Sequence, residues 1–168
     1  MLTLRPAEAA DAPVILRLIH GLAEYEKAPH EVLATEADIV RDGFGAKPMF
    51  HVVLAEWAGA PVGFAFYFFN YSTWHGRPGL YLEDLFVEPP YRGYGIGKAL
   101  LVHLAQIAVA EGCRRYQWQV LDWNQPAIDF YEAMGASVLK EWLTVRIDGE
   151  NLARLASTHV HVRPPAGS

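Results

Sequence analysis

Three groups of residues in this chain have types and spacings that could do chemistry. The first is Arg92-Gly93-Tyr94-Gly95-Ile96-Gly97-Lys98, which follows an apolar strand pattern and opens a helical one. Closely spaced glycines let a backbone approach a ligand, and the unpaired N–H groups of a first helical turn attract anions, aided by the helix dipole. Such a turn can cradle a pyrophosphate. It is not the dinucleotide fingerprint G-x-G-x-x-G, because Lys98 stands at the third glycine position. Nor is it the triphosphate loop, which Arg92 and Ala99 both break. The pattern that fits is R-x-x-G-x-G; glycines that merely shape a tight connection would read the same way.

The second group is Glu83 and Asp84, two carboxylates in the middle of an apolar run. Carboxylates are seldom buried without a partner, so they mark either a site, a solvent face or an ion pair with an arginine. Neighbours on a strand point to opposite faces, so both reach one site only if a bulge intervenes. The third group is Asn124 and Tyr131, seven residues apart and therefore on one helix face. A tyrosine hydroxyl there can give up a proton; a core aromatic on an amphipathic helix is the alternative. The remaining reactive residues form no pattern. His159 and His161 have metal-like spacing but lie in a polar tail, His51, His75 and His103 lack companions, and Cys113 has no His near it in sequence. No metal site is expected.

These groups need elements to position them. Residues 2–5 read as a first strand, followed by a helix capped by Asp11 whose apolar face is Val14, Ile15, Leu18, Ile19 and Leu22. Thr35 and Asp38 form a capping box for a short helix ending near Gly43. Strands are expected over 50–57, 62–70 and 80–87, the first two joined as a hairpin through 58–61. The glycine turn then opens a helix carrying Ile96, Leu100, Leu104, Ile107 and Ala108, which Gly112 ends. A strand over 115–121, a helix capped by Asn124 and closed by Gly135, a strand over 137–147 broken near Glu141, and a short helix after Asp148 complete the pattern. Residues 157–168 are expected to be a loose tail, and 1–156 a single domain.

Composition narrows the function. The chain has 168 residues, 52% of them hydrophobic and 20% charged, enough to bury one core and too apolar for disorder. Fourteen Lys and Arg against nineteen Asp and Glu give a net charge of -5, a poor match to nucleic acid and a better one to a cationic or neutral partner. A single cysteine forbids an intrachain disulfide and suits a reducing compartment. The first residues lack a signal-peptide core, and the longest apolar run is too short to cross a bilayer. A soluble cytoplasmic protein, without membrane or nucleic-acid partners, is expected.

Beyond the glycine turn, Leu80-Tyr81-Leu82-Glu83-Asp84-Leu85-Phe86-Val87, then Asp122-Trp123-Asn124-Gln125, Phe130-Tyr131 and Met134-Gly135-Ala136 stand in the order of a known family. With Tyr91 to Gly97 they resemble the GNAT N-acetyltransferases, in particular the diamine (spermidine/spermine) acetyltransferases. Tyr71-Ser72-Thr73-Trp74, with Val120-Leu121-Asp122-Trp123-Asn124-Gln125, looks most like the thialysine acetyltransferase branch. The resemblance runs from about Leu4 to Ala156.

It implies an α/β fold with a mixed, mostly antiparallel sheet of six or seven strands, splayed at the centre and flanked by helices. It implies acetyl-CoA as acetyl donor, direct transfer to a small primary amine in a ternary complex, and a homodimer. Glu83 would accept the amine proton through water, and Tyr131 would protonate the leaving thiolate. Arg92, Gly93, Tyr94, Gly95, Ile96, Gly97 and Lys98 would hold the pyrophosphate. The backbone of Leu85, Phe86 and Val87, with Asn124, Ala127 and Met134, would hold the pantetheine arm. Tyr25, Glu26, Ser72, Trp74, Asp84, Gln117 and Gln119 would line the substrate side. Ser72 replaces an acidic residue of the polyamine branch, which points to a shorter amine. The segment after Ala136 departs from the family's usual stretch, although Trp142 keeps one element of it. Rival readings are an acetyltransferase for peptide, protein or antibiotic amines, and a noncatalytic acyl-CoA-binding module; a mere binder would need neither Glu83 nor Tyr131.

Overall fold

A computed structural model describes residues 1–167. They form two compact units, Met1–Gln119 and the segment from Val120 onward. The first unit is built on a five-stranded sheet in the order β1-β2-β3-β4-β5. Its strands are β1 (Leu2–Pro6), β2 (His51–Trp57), β3 (Ala60–Ser72), β4 (Arg77–Val87) and β5 (Arg115–Gln117). The first four run antiparallel, and β5 lies parallel to β4. Three helices accompany the sheet: α1 (Ala12–Tyr25), α2 (Glu36–Gly43) and α3 (Ile96–Ala110).

Helix α1 forms because its apolar residues recur at helical spacing. Ala12, Ile15, Leu18 and Leu22 are buried against Val52, Leu54, Phe64 and Phe86 of the sheet, with Ile39 of α2 closing the cluster. Each such Leu or Ile contributes roughly 1.5–3 kcal/mol by leaving water. Consecutive buried residues Val52–Ala55 mean that β2 is covered on both faces. The second cover is α3, whose Leu100, Leu101 and Leu104 are buried. Thr35 and Asp38 form the expected capping box of α2. Asp11 departs from expectation. Its carboxylate accepts from the Glu8 N–H at 2.7 Å and from the Arg5 guanidinium at 2.8 and 3.0 Å, so it ties β1 to the turn before α1 rather than capping α1 itself.

The β3–β4 ladder contains the feature that matters most for chemistry. Phe66 pairs with Asp84 and the next residue, Tyr67, pairs with Leu82, so Glu83 is the extra residue of a bulge. The bulge reverses the facing of the strand. Leu82 shares a face with Tyr67, whereas Asp84 shares one with Phe66 and, two residues on, with Phe86 beneath α1. A regular strand would have driven Asp84 into the face where Leu82 is buried.

The sheet has five strands among the described residues, not six or seven. Beyond Gln117 the expected strand over 115–121 ends, and 137–147 is irregular with a turn at 140–141. Long exposed side chains along that segment, such as Val145 at 95%, give it no core to alternate against. Because β5 pairs with β4 only at Gly79, Leu80 and Tyr81, the β4 edge from Leu82 to Val87 has no strand partner on that side of the sheet among the described residues. The second unit contains α4 (Gln125–Ala133) and α5 (Gly149–Ala156). Asn124 caps α4, its side chain accepting from the Ala127 N–H at 3.4 Å, and Gly135 follows the helix at φ +96°.

Gly63, opposite Val87, tests this register. A Cβ there would lie 2.8 Å from the backbone oxygen of Phe86. Gly63→Ala is expected to lower the free energy of unfolding by about 1–3 kcal/mol through overpacking against backbone. Urea denaturation measures it, and an unchanged midpoint would contradict the pairing.

Candidate active site

The bulge gathers acid at one place. Glu83 is exposed, Asp84 is partly buried, and Glu26 follows the last residue of α1. Among the described residues none of the three carboxylates is paired with a cation or a hydrogen-bond donor. Desolvation, then the charges of Glu83 and Glu26, push the Asp84 carboxyl up to about 7. Partial burial also raises Glu26. Burial and the charge of Glu83 raise the Tyr81 hydroxyl in turn. Among the described residues no three His, Cys, Asp or Glu side chains are placed to grip a metal ion. The arrangement is electrostatically incomplete and suits an organic cation.

Three residues beyond Asp84, β4 ends at Val87 and leads through a single-turn 3-10 helix, Pro89–Tyr91, to the glycine turn. Gly93 and Gly95 have φ of +84° and +85°, a left-handed conformation that other residues adopt only with strain. A Cβ at either would meet no atom within 4 Å, so the concave side is open to a ligand. Gly95 caps α3, whose first N–H groups carry the dipole's positive end. The donor set therefore fits a pyrophosphate.

Arg92, expected in the cradle, also makes contacts within the chain. Its Nε donates to the Val87 carbonyl at 2.8 Å, and its guanidinium lies 4.8 Å from the Tyr25 ring centre and 5.3 Å from that of Phe86. Arg92 thus fastens the end of β4 to the end of α1. A groove of about 820 Å³ opens beside it, lined in part by Arg17, His20, Glu24 and Tyr25 of α1. Arg17 bridges to Glu88 across that groove. Sequence reading missed Arg17, His20 and Glu24; their spacing on the α1 face opposite Ile15, Leu18 and Leu22 is the signal that marks them.

Other candidates fall elsewhere. Ser72 is buried at the far end of β3, where its hydroxyl accepts from the His75 N–H at 3.3 Å, and Trp74 is 91% exposed in the turn that follows. Ser72 pairs with Arg77, six residues and about 20 Å along β4 from Glu83, so neither reaches the carboxylates. Gln117 is partly buried in β5, and Gln119 is exposed beyond it. Tyr94 and Lys98 are exposed on the glycine turn, while Ile96 is buried beneath it. In the second unit, Asn124 is buried, Ala127 and Tyr131 are partly buried, and Met134 is 37% exposed at the end of α4.

Comparison with known proteins follows the same lines. Residues 16–136 match the model of the acetyltransferase (GNAT) family. The bovine (Bos taurus) thialysine N-epsilon-acetyltransferase is 43% identical over 91% of this chain and 96% of its own. The L-ornithine N5-acetyltransferase of Arabidopsis thaliana is 31% identical over 94% of this chain and 89% of its own. Among solved structures, an integron cassette protein of V. cholerae superposes with a TM-score of 0.78 at 27% identity, covering 94% of this chain and 98% of that one.

The Asp84 carboxyl carries a consequence for stability. It ionises near 3.8 in the unfolded chain and near 7 in the folded one, so between those values the folded state holds more protons. Stability from this group is therefore present at low pH and lost as the pH rises towards 7. Asp84→Asn is expected to be more stable than the parent at pH 8, by roughly 1–3 kcal/mol once water screening is allowed for, and equal to it near pH 4. Urea unfolding at the two pH values measures the difference; the same gap at both would remove the buried-charge account.

Proposed function

Because the chain belongs to the acetyltransferase (GNAT) family, we propose that it moves the acetyl group of acetyl-CoA onto a primary amine of a small cationic substrate, of the thialysine, lysine-analogue or diamine kind. The observation that carries this reading is the unpaired acidic cluster of Glu26, Glu83 and Asp84, set on the same strand that leads into the glycine turn. An alkyl amine holds its proton up to about pH 10.4, so freeing its lone pair at neutral pH costs roughly 4–5 kcal/mol. The site must bind the ammonium, take its proton and hold the acyl donor nearby. Three carboxylates without a cation supply the first two requirements.

Acetyl-CoA supplies the acetyl thioester. The N–H groups of the turn from Gly93 to Lys98 would hold its pyrophosphate, and the open β4 edge from Leu85 to Val87 would pair with its extended arm. The Val87 N–H would polarise the thioester carbonyl. In the second unit, Asn124, Ala127 and Met134 would support the arm and Tyr131 would give a proton to the thiolate. The bovine and Arabidopsis relatives act, by their names, on side-chain amines of small amino acids, which supports a short acceptor. A long polyamine reaching Ser72 would meet a neutral hydroxyl engaged with its own turn.

The exposed Trp142, Leu143 and Val145 support a homodimer, and the single thiol supports the cytoplasm. Among the described residues no helix is long and apolar enough to cross a membrane.

Free-thiol release from acetyl-CoA against thialysine, lysine, ornithine, putrescine, spermidine, spermine and a lysine-bearing peptide tests the reading. Turnover on a short amine, above spermine and the peptide, is the expected result; no turnover on any of them would refute it. Gly97→Val tests the cradle. A Cβ at Gly97 would meet only Val87 Cγ2, at 3.9 Å, so the fold tolerates it while the added methyl groups crowd the turn. Calorimetry should find acetyl-CoA affinity down by at least about tenfold with the melting temperature little changed.

A further inference from the structure

The core does not hold the end of α1. Leu22 is the last buried residue of the helix, and Glu24, Tyr25 and Glu26 are exposed. The backbone then reverses at Lys27, whose φ is +62°. Glu26 therefore stands beyond the last core contact of its helix, yet its charge acts on Asp84 in β4. From the β4 side, the Arg92 side chain reaches this stretch. Its Nε donates to the Val87 carbonyl at 2.8 Å. Its guanidinium carbon lies 5.3 Å from the centre of the Phe86 ring and 4.8 Å from that of the Tyr25 ring. Both rings are close enough for a cation to be drawn to an aromatic face. The Phe86 ring is buried and pinned against Gly21, whereas the Tyr25 ring has no such anchorage in the core. Glu24 and Glu88 line the same groove, but no ion pair joins Arg92 to either of them among the described residues; Glu88 is taken by Arg17.

We propose that the Arg92 side chain is a positioning residue for the acceptor amine: by bridging the anchored Phe86 ring to the Tyr25 ring, it fixes the end of α1, and Glu26 with it, beside the bulge of β4. The proposal rests on the amine-acetylating function argued above and deepens it, because the residue that opens the glycine turn on the donor side then also sets the acceptor side.

The guanidinium suits this task by shape as well as charge. It is planar, with N–H groups in a fixed fork, so Nε can hold a carbonyl while the flat group meets aromatic rings. A lysine carries the same charge on a flexible stem, without the Nε–H and without the flat face. Holding a phosphate calls for the charge, whereas bridging Val87 and two rings calls for the shape. Substitution can therefore separate the two roles. The substrate ammonium is held by several carboxylates together, and the pull of each falls with its distance. A Glu26 released to swing away lowers affinity for the amine and leaves the contacts of the acetyl donor in place.

Two measurements test this. The first needs no turnover: nitrogen-15 spectra of the arginine Nε–H groups in the full chain. The Arg92 signal, identified by its loss in Arg92→Lys, should exchange slowly with water and should shift in Tyr25→Leu, which removes the field of that ring. A signal that exchanges as fast as free arginine, or that ignores Tyr25→Leu, overturns the proposal whatever the enzyme does. The second combines kinetics on the best amine of the panel with calorimetry of acetyl-CoA. Arg92→Lys and Arg92→Gln should each lose about fivefold or more in kcat/KM for the amine, with the loss carried by KM, and should bind acetyl-CoA alike. Tyr25→Leu should cost less in Arg92→Lys than in the parent, because the contact between the two is already gone. Full rescue by lysine, or a fall in acetyl-CoA affinity that lysine restores and glutamine does not, assigns the charge to the pyrophosphate and overturns the proposal. A loss carried by kcat alone, or strict additivity with Tyr25→Leu, overturns it too. No turnover by the parent chain on any amine, with the slowly exchanging signal present, refutes the amine-acetylating function and the positioning role with it.

Discussion

Everything in the first unit that could do chemistry depends on one irregularity in the β3–β4 ladder. An extra residue, Glu83, lets Leu82 and Asp84 face opposite sides of the sheet although they are two positions apart. A sheet covered on both faces has no room for an unpaired carboxylate in a regular strand. The bulge lifts one carboxylate into solvent and turns the next towards the rim of the α1 face. The cost of desolvating Asp84 appears as a raised proton affinity of its carboxyl.

The packing around that bulge fixes where its products point. Phe86 lies under α1, where a Cβ on Gly21 would come within 2.6 Å of its ring. That close approach pins β4 two residues past Asp84. Arg92 then ties β4 to the end of α1, by a hydrogen bond to Val87 and a contact with the Phe86 ring on one side and the Tyr25 ring on the other. The acidic cluster and the glycine turn are thus held at opposite ends of a short, well-anchored stretch of strand. Such a scaffold keeps reacting groups in register without relying on mobile loops.

The same layout explains why the free edge of β4 lies where it does. β5 pairs for three residues and stops, leaving the backbone groups of Leu82 to Val87 on that side without a strand partner among the described residues. An open edge is a liability unless something pairs with it. In a family that generally uses acetyl-CoA, an extended amide-bearing arm is a chemically suitable occupant.

Much of this was legible in the sequence, because its signals are local. The R-x-x-G-x-G turn, the apolar stripe of α1, the Thr35–Asp38 box and the caps at Asn124 and Gly135 each depend on residues a few positions apart, and each formed as read. The adjacent carboxylates could be named, together with the condition that a bulge must separate them. What tertiary structure alone decided was nonlocal. Which residue is the bulge, which carboxylate is buried and which charges raise it follow from pairing with Phe66 and from the approach of Glu26, far away in the chain. The engagement of Arg92 with Tyr25, the short β5 and the irregular 137–147 segment also depend on what each backbone meets across space. Periodicity states which face a residue prefers; only a partner strand or helix determines whether that face is covered, and so what a charge placed there can do.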